Sequence, residues 1–257
     1  MSASRAYRVS VCAGSRMGTG SNKSGLGSMR RLAYLILGMF VVGFAGSAAW
    51  SDAGQSLDED LRVYAVNVVK TPPLKKQFIG YGIYLGQGIV ITAAHVVGHW
   101  PSITQPTVRI AGRDFPTKIL KEGSFEQTDL ALLAVDQLPM NLLLRRNPLC
   151  TAPPSIGMEV VDVVPQGISW ARVISPLSIA PQFQQRFSTL IDTGDVSSGS
   201  GIFDPERKCL LGIMSAKMPK YGYQVSRGKV VVGPSGFARY FVPASQIVSF
   251  TPPNLHF

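Results

Sequence analysis

Long stretches of helical periodicity are missing from this sequence after residue 60. With 26 glycines and 18 prolines, this absence favours an all-β protein with many turns. Internal repeats and low-complexity tracts are also absent, so nothing indicates a repeat protein or a second domain. Hydrophobic residues make up 46% of the 257 residues, which is enough for one substantial core or two small barrels packed as a unit.

Runs of basic residues are missing too, although the formal net charge is +10. Six basic residues and one acid, Asp52, precede residue 54, so half of the excess charge belongs to the start of the chain. The rest is dispersed, with no basic–aromatic stripe. We therefore expect no nucleic-acid binding and assign the charge mainly to a targeting segment.

The first 53 residues are predicted to be a leader. Met29-Arg30-Arg31 precedes an uncharged stretch at 32–50, and small residues gather at its end, which is the pattern of a signal peptide cleaved after Ala49 or Ala53. The 19-residue stretch is also long enough to remain as a membrane anchor. We expect residues 54–257 to be exported, periplasmic or secreted, and to contact a membrane only if the leader is retained.

Only three cysteines are present. Cys12 would be removed with the leader, which leaves Cys150 and Cys209. In an exported domain this pair predicts one disulfide that closes a loop of about 60 residues. Two separate buried thiols are the alternative.

Short apolar segments with β-branched residues fill the chain from residue 61, with about six on either side of a connector at 139–154. This pattern predicts two six-stranded antiparallel barrels, one over about 61–138 and one over about 155–250, followed by a short helix at Pro243–Phe250. The predicted strands are Val63–Val69, Phe78–Leu85, Ile89–Thr92, Thr107–Ile110, Thr117–Leu120, Leu130–Val135, Glu159–Val164, Ser169–Ile174, Phe187–Ile191, Gly201–Phe203, Leu210–Ser215, Lys229–Val232 and Tyr240–Val242.

Histidine is as scarce as cysteine, with three in the chain. His95 follows a predicted strand and two alanines, a setting that can present an imidazole at the rim of a barrel. A histidine beside apolar residues is more often structural. His95 and His99 also have the spacing of a helical zinc motif, but Val96 stands at the position of its general-base glutamate and Gly98 weakens a helix, so we predict no metal site. His256 lies next to the end of the chain and is expected to be frayed.

Two further segments carry candidate groups for catalysis. Asp129 opens a strongly apolar strand, where it could be an ordinary turn residue or could orient a histidine and stabilise its protonated form. Ser198 lies in a cluster of serines and glycines, residues 195–201. Such a cluster is usually a flexible loop, but it can also aim a serine hydroxyl and backbone N–H groups at one point, as attack on an acyl carbon requires.

Together these segments resemble trypsin-like serine peptidases of the chymotrypsin fold, in particular compact bacterial members related to the HtrA group. The resemblance covers about residues 62–250 and implies a catalytic triad of His95, Asp129 and Ser198. It also implies protein or peptide substrates and no metal or organic cofactor. No PDZ-sized segment follows the predicted barrels, so we expect no PDZ domain and assign no oligomeric state. The matching motifs, in the family's order, are Thr92-Ala93-Ala94-His95, Asp129-Leu130-Ala131-Leu132 and Ser198-Gly199-Ser200-Gly201-Ile202-Phe203.

The register of the serine cluster decides which serine is assigned as nucleophile. Ser198 places Ile202 and Phe203 at the family's aliphatic and aromatic positions, whereas Ser200, the second choice, does not. The family usually has glycine two residues before the nucleophile, where its N–H and that of the nucleophile form the oxyanion hole. Here that residue is Val196, which resists a positive φ and would weaken the hole.

The resemblance also implies a substrate pocket formed by Asp192, Ser215 and Lys217. Asp192 stands where trypsin-like enzymes carry the acid that binds Arg or Lys, which makes cleavage after basic residues a hypothesis. Lys217 could neutralise Asp192 or narrow the pocket. The leading prediction is therefore an exported serine endopeptidase. A catalytically impaired binding or scaffold protein, favoured by Val196 and Lys217, is the alternative, and an esterase-like acyl hydrolase is a third.

Overall fold

The computed structural model describes residues 49–70, 78–98, 105–194, 197–226 and 228–255. Its strands are β1 (Ala65–Lys70), β2 (Phe78–Gly86), β3 (Ile89–Thr92), β4 (Thr107–Ile110), β5 (Arg113–Glu122), β6 (Ala131–Val135), β7 (Glu159–Val164), β8 (Gly167–Ile174), β9 (Leu190–Asp192), β10 (Gly201–Asp204), β11 (Cys209–Ser226) and β12 (Lys229–Pro243). Its helices are α1 (Ala49–Arg62), α2 (Ala94–Val97), α3 (Met140–Leu143), a 3-10 turn (Pro176–Ser178), α4 (Pro181–Gln184) and α5 (Ala244–Phe250).

The first barrel closes in the order β1-β2-β3-β6-β5-β4, with antiparallel pairing throughout. Its interior is lined by Val, Leu and Ala side chains at alternate strand positions. Thr92, the last residue of β3, pairs with Ala131, the first residue of β6. The chain that leaves β3 and the chain that enters β6 therefore lie side by side at one end of the barrel, and these segments contain His95 and Asp129.

The second barrel closes in the order β10-β11-β12-β9-β8-β7, again antiparallel throughout. Gly201 pairs with Ile213, and the N–H of Gly199 donates to the carbonyl of Met214, so the residues before β10 lie beside the first part of β11. This register brings the loop that contains Ser198 next to Ser215. The two six-stranded barrels and the closing helix confirm the fold class predicted from the sequence.

One hydrophobic cluster joins the two barrels. It includes Ile83 and Leu85 of β2, Leu190 and Phe203 of the second barrel, and Ile247 of α5, all of them buried. Because burial of a large aliphatic or aromatic side chain contributes about 1.5–3 kcal/mol, this shared cluster holds the facing ends of the barrels in one arrangement.

The hairpin of β11 and β12 is much longer than predicted. The sequence suggested separate strands at Lys229–Val232 and Tyr240–Val242, but the structure has one 15-residue strand, β12. Its pairing with β11 continues from Gly212–Pro243 to Ser226–Lys229, with irregularities at Met214/Ala216 and Lys220/Tyr221. Residues 233–237, which lie between the two predicted segments and include glycines and a proline, are exposed or half-buried and continue the strand.

Helix α1 was not predicted. Its buried face is short, with Leu57 and Leu61 in the core, so the sequence offers too little periodicity to reveal it. Arg62 ties its end to the second barrel by donating two hydrogen bonds, of 2.8 and 3.1 Å, to the carbonyl oxygen of Pro165. The predicted boundary between residues 53 and 54 falls within this helix. The rest of the predicted leader, residues 1–48, lies outside the described residues.

Cys150 and Cys209 form a disulfide with their Cα atoms 5.1 Å apart, so the predicted pairing is present. It joins the connector between the barrels to the start of β11. Within the described part of the chain, no helix is both long and apolar enough to cross a membrane.

Candidate active site

His95 lies on α2, a single helical turn that begins directly after β3. The turn fits closely against β2 because Val96 contacts the backbone at Gly80, where a Cβ atom would overlap its side chain. The small, buried residues Ala93 and Ala94 let the chain turn there. The His95 side chain is 35% exposed, so a substrate can reach one edge of its ring.

Asp129 holds His95 through two hydrogen bonds. Its Oδ1 accepts from the backbone N–H of His95 at 3.0 Å, and its Oδ2 lies 2.7 Å from His95 Nδ1. A buried carboxylate at this distance favours the tautomer in which Nδ1 carries the proton. The other ring nitrogen, Nε2, is then left with a free lone pair and can accept a proton.

Ser215 gives Asp129 a third hydrogen bond, from Oγ to Oδ2 at 2.6 Å. Burial acts to raise the pKa of Asp129, but the hydrogen bonds from His95 and Ser215 outweigh it and hold the pKa below its ordinary value. Asp129 is only 3% exposed and remains ionised because these donors surround it. The sequence placed Ser215 in the wall of the substrate pocket and gave no sign of this contact, which joins residues 86 positions apart.

The loop containing Ser198 packs against the first barrel. The carbonyl of Ser198 accepts a 3.0 Å hydrogen bond from the N–H of Tyr81, and the N–H of Gly199 donates to Met214 at 2.9 Å. Gly199 has a φ of +87°, and a Cβ atom there would overlap the carbonyl oxygen of Tyr81 and the hydroxyl of Thr92. Only glycine fits this position. Its close approach to Tyr81 and Thr92 brings the neighbouring Ser198 beside β2 and the end of β3.

Exposure distinguishes the two candidate serines. Ser198 is half-buried, whereas Ser200 is 0% exposed and points into the second barrel. Among the described side chains, no hydrogen bond joins Ser198 to His95, although such contacts are often long in enzymes without a substrate. Val196, His99 and His256 lie outside the described residues.

The predicted substrate pocket contains a lysine that sequence reasoning missed. Lys220 donates to both carboxylate oxygens of Asp192, at 2.8 Å each. Lys217 instead lies over the ring of Phe237, 3.7 Å from its centre. Lys220 could not be found from the sequence, because it is 28 residues from Asp192 and lies on a part of β11 beyond the predicted strand Leu210–Ser215.

A cluster of three potential metal ligands occurs in the described residues, formed by Cys150, Cys209 and Asp204. Both sulfur atoms belong to the disulfide, so neither can act as a thiolate ligand. This cluster therefore does not form a metal site.

Comparison with solved structures identifies the fold. The chain superimposes on the Rv3671c protease of M. tuberculosis in its inactive form with a TM-score of 0.54 and 16% identity, over 78% of this chain and 93% of that one. The active form gives a TM-score of 0.51 and 18% identity, over 75% and 81%. Kallikrein-related peptidase 10 in complex with Zn²⁺ gives 0.54 and 14%, over 74% and 93%. This chain has the chymotrypsin fold. No protein-family model and no curated protein matches it, so the structural likeness establishes the fold alone.

Proposed function

We propose that this protein is an exported serine endopeptidase with Ser198 as nucleophile, His95 as general base and Asp129 as the group that orients His95. The observation that carries the proposal is the buried Asp129 carboxylate, which is held by His95 from the first barrel and Ser215 from the second. These contacts fix the orientation of the ring. The half-buried Ser198 precedes Gly199, whose N–H donates to the carbonyl of Met214 next to Ser215. The solved structures compared above include a protease and a peptidase with the same fold, which supports peptide-bond hydrolysis.

In the proposed reaction, Ser198 Oγ attacks the peptide carbonyl carbon and passes its proton to His95 Nε2. The protonated ring is stabilised by Asp129 and then gives the proton to the leaving amine, so an acyl-enzyme remains on Ser198. Water then attacks the acyl carbon while His95 takes its proton. The protonated ring returns this proton to Ser198 Oγ as the bond to the acyl group breaks, which restores the serine. The backbone N–H groups of Ser198 and Val196 are proposed to bind the oxyanion.

Export is supported by the Cys150–Cys209 disulfide, since such bonds persist mainly in oxidising compartments. We propose that the uncharged stretch at 32–50 directs export, as a cleaved signal peptide or as a membrane anchor.

Labelling with a fluorophosphonate tests the nucleophile. The full chain should be labelled covalently, and the Ser198→Ala variant should not be. Ser200→Ala is the matched control, because it changes a serine two residues away that is fully buried, and it should still be labelled. Labelling that survives Ser198→Ala would refute the assignment, and a folded wild type that is never labelled would favour a binding or scaffold protein.

A further inference from the structure

A cavity of about 410 Å³ is formed by the predicted pocket residues Asp192 and Lys217 together with Lys220 and Arg239. Its lining comes from residues 192–194, which lead to the loop of Ser198, and from parts of β11 and β12. Lys217 in its wall lies two residues beyond Ser215, the partner of Asp129. Two separate segments of the chain therefore contribute both to the cavity and, a few residues away, to the proposed site.

The one acidic side chain in the described lining already has a partner. Both oxygens of Asp192 accept hydrogen bonds from Lys220, and the side chain of Lys220 is only 20% exposed. A basic substrate side chain would have to displace this partly buried lysine to reach Asp192. The acid that would favour cleavage after Arg or Lys is thus already neutralised.

Two other cations in the lining face each other. Lys217 and Arg239 are directly opposed partners across β11 and β12, so their side chains project from the same face of the ribbon. Like charges in this position destabilise strand pairing. Within the described part of the chain, neither cation has a carboxylate partner.

Their hydrogen-bonding capacity is also incompletely used. Lys217 rests on the ring of Phe237, and Arg239 donates one hydrogen bond of 3.0 Å to the carbonyl of Gly194. The Nε of Arg239 is buried and has no hydrogen-bond partner among the described residues. An anion between Lys217 and Arg239 would relieve their repulsion and accept from these free donors.

The charges of the lining agree with an anionic ligand. Lys217, Lys220 and Arg239 outnumber Asp192, and counting Asp195, which follows in the sequence, still leaves a positive excess. We propose that this cavity binds a carboxylate side chain, so that the enzyme cleaves after Glu or Asp, with Lys217 and Arg239 as the specificity-determining residues. This inference rests on the proposed peptidase function, and it replaces the preference for basic residues that Asp192 alone suggests.

Peptidyl phosphonate probes test the inference. Three probes that differ only in carrying Glu, Gln or Lys next to the phosphorus atom are compared by their rates of covalent attachment to the full chain. The Glu probe should react about 10- to 100-fold faster than the Gln probe, because charge-assisted hydrogen bonds are the difference between them, and the Lys probe should be slowest.

Substitutions then locate the selectivity. Lys217→Gln and Arg239→Gln should each lower the ratio of the Glu rate to the Gln rate, and Asp192→Asn should raise it by freeing Lys220. Lys229→Gln is the matched control, since it removes an exposed lysine near the tip of the same ribbon, and it should leave the ratio unchanged.

The inference is overturned if the Lys probe is fastest, or if the Glu-to-Gln ratio is near one or is unaffected by Lys217→Gln and Arg239→Gln. Failure of the small fluorophosphonate to label the folded protein would refute the peptidase function, and this inference with it. Fluorophosphonate labelling without any charge preference among the probes would refute the specificity alone.

Discussion

Asp162 is a buried acid that we expect to destabilise the folded protein at neutral pH. It lies on β7, is 4% exposed and faces the second barrel, where its Oδ1 has no hydrogen-bond partner in the described structure. The nearby hydroxyl of Ser200 is also buried and has no hydrogen-bond partner among the described residues. Burial raises the pKa of Asp162 from 3.8 to about 6, and the Ser200 hydroxyl and the Val163 N–H oppose this rise only in part.

The sign of the effect follows from this raised pKa. Between about pH 4 and pH 6 the folded protein holds the proton of Asp162 more tightly than the unfolded chain does, so stability falls as the pH rises through this window. Above about pH 6 the loss of stability caused by ionised Asp162 is constant. The two pKa values, 3.8 and about 6, correspond to a penalty on the order of 3 kcal/mol.

Asp162→Asn mimics the protonated acid and removes this penalty. We expect the variant to gain stability relative to the wild type as the pH is raised, with the difference growing by about 2 kcal/mol between pH 4.5 and pH 7.5. Urea unfolding of both proteins at the two pH values, with the disulfide intact, measures this change. Because the comparison is between pH values, any constant cost of burying the amide cancels.

Asp114→Asn is the contrasting control. Asp114 pairs with Arg109 at the surface, and that hydrogen bond lowers the pKa of Asp114. Its removal should have no benefit at neutral pH. The reasoning about Asp162 is refuted if the Asp162→Asn difference is the same at both pH values or shrinks as the pH rises.

Four further changes follow from the same structure. Asp129→Asn should lower kcat about 10⁴-fold in peptide hydrolysis while the fold is kept, because the amide no longer holds the proton of His95 on Nδ1. A loss of less than 10-fold would contradict the role of Asp129. Ser215→Ala removes a bond that lowers the pKa of Asp129, so its unfolding free energy should fall below that of the wild type at pH 7 and converge with it in acid. Gly199→Ala should reduce fluorophosphonate labelling at least 10-fold, because a Cβ atom there overlaps Tyr81; unchanged labelling would show that the loop tolerates it. Replacing Cys209 with Ser should cost about 4 kcal/mol in urea unfolding, as expected for a loop of 59 residues, and a loss below 1 kcal/mol would argue against the disulfide.

The strands were predictable because their signals are local. Ile89–Thr92, Thr107–Ile110 and Glu159–Val164 have the predicted bounds, since β-branched residues between turn signals define each of them without reference to the rest of the chain. Helix α1 and the long β12 escaped prediction for the opposite reason. Helix α1 buries only two leucines, so its formation depends on the surface that it packs against. Strand β12 contains Gly and Pro, so its length depends on its pairing with β11.

The sequence by itself determined the two barrels and the short segments that carry His95, Asp129 and the serine cluster, because these depend on patterns within a few residues. It determined the cysteine pair because only two cysteines lie outside the predicted leader. Only the tertiary structure decided which groups meet. It brought Ser215 into hydrogen-bond contact with Asp129, and it buried Ser200 while leaving Ser198 accessible. It also paired Asp192 with Lys220 rather than with Lys217. These contacts span tens of residues and depend on strand register, and a shift of one residue would point each side chain to the opposite face.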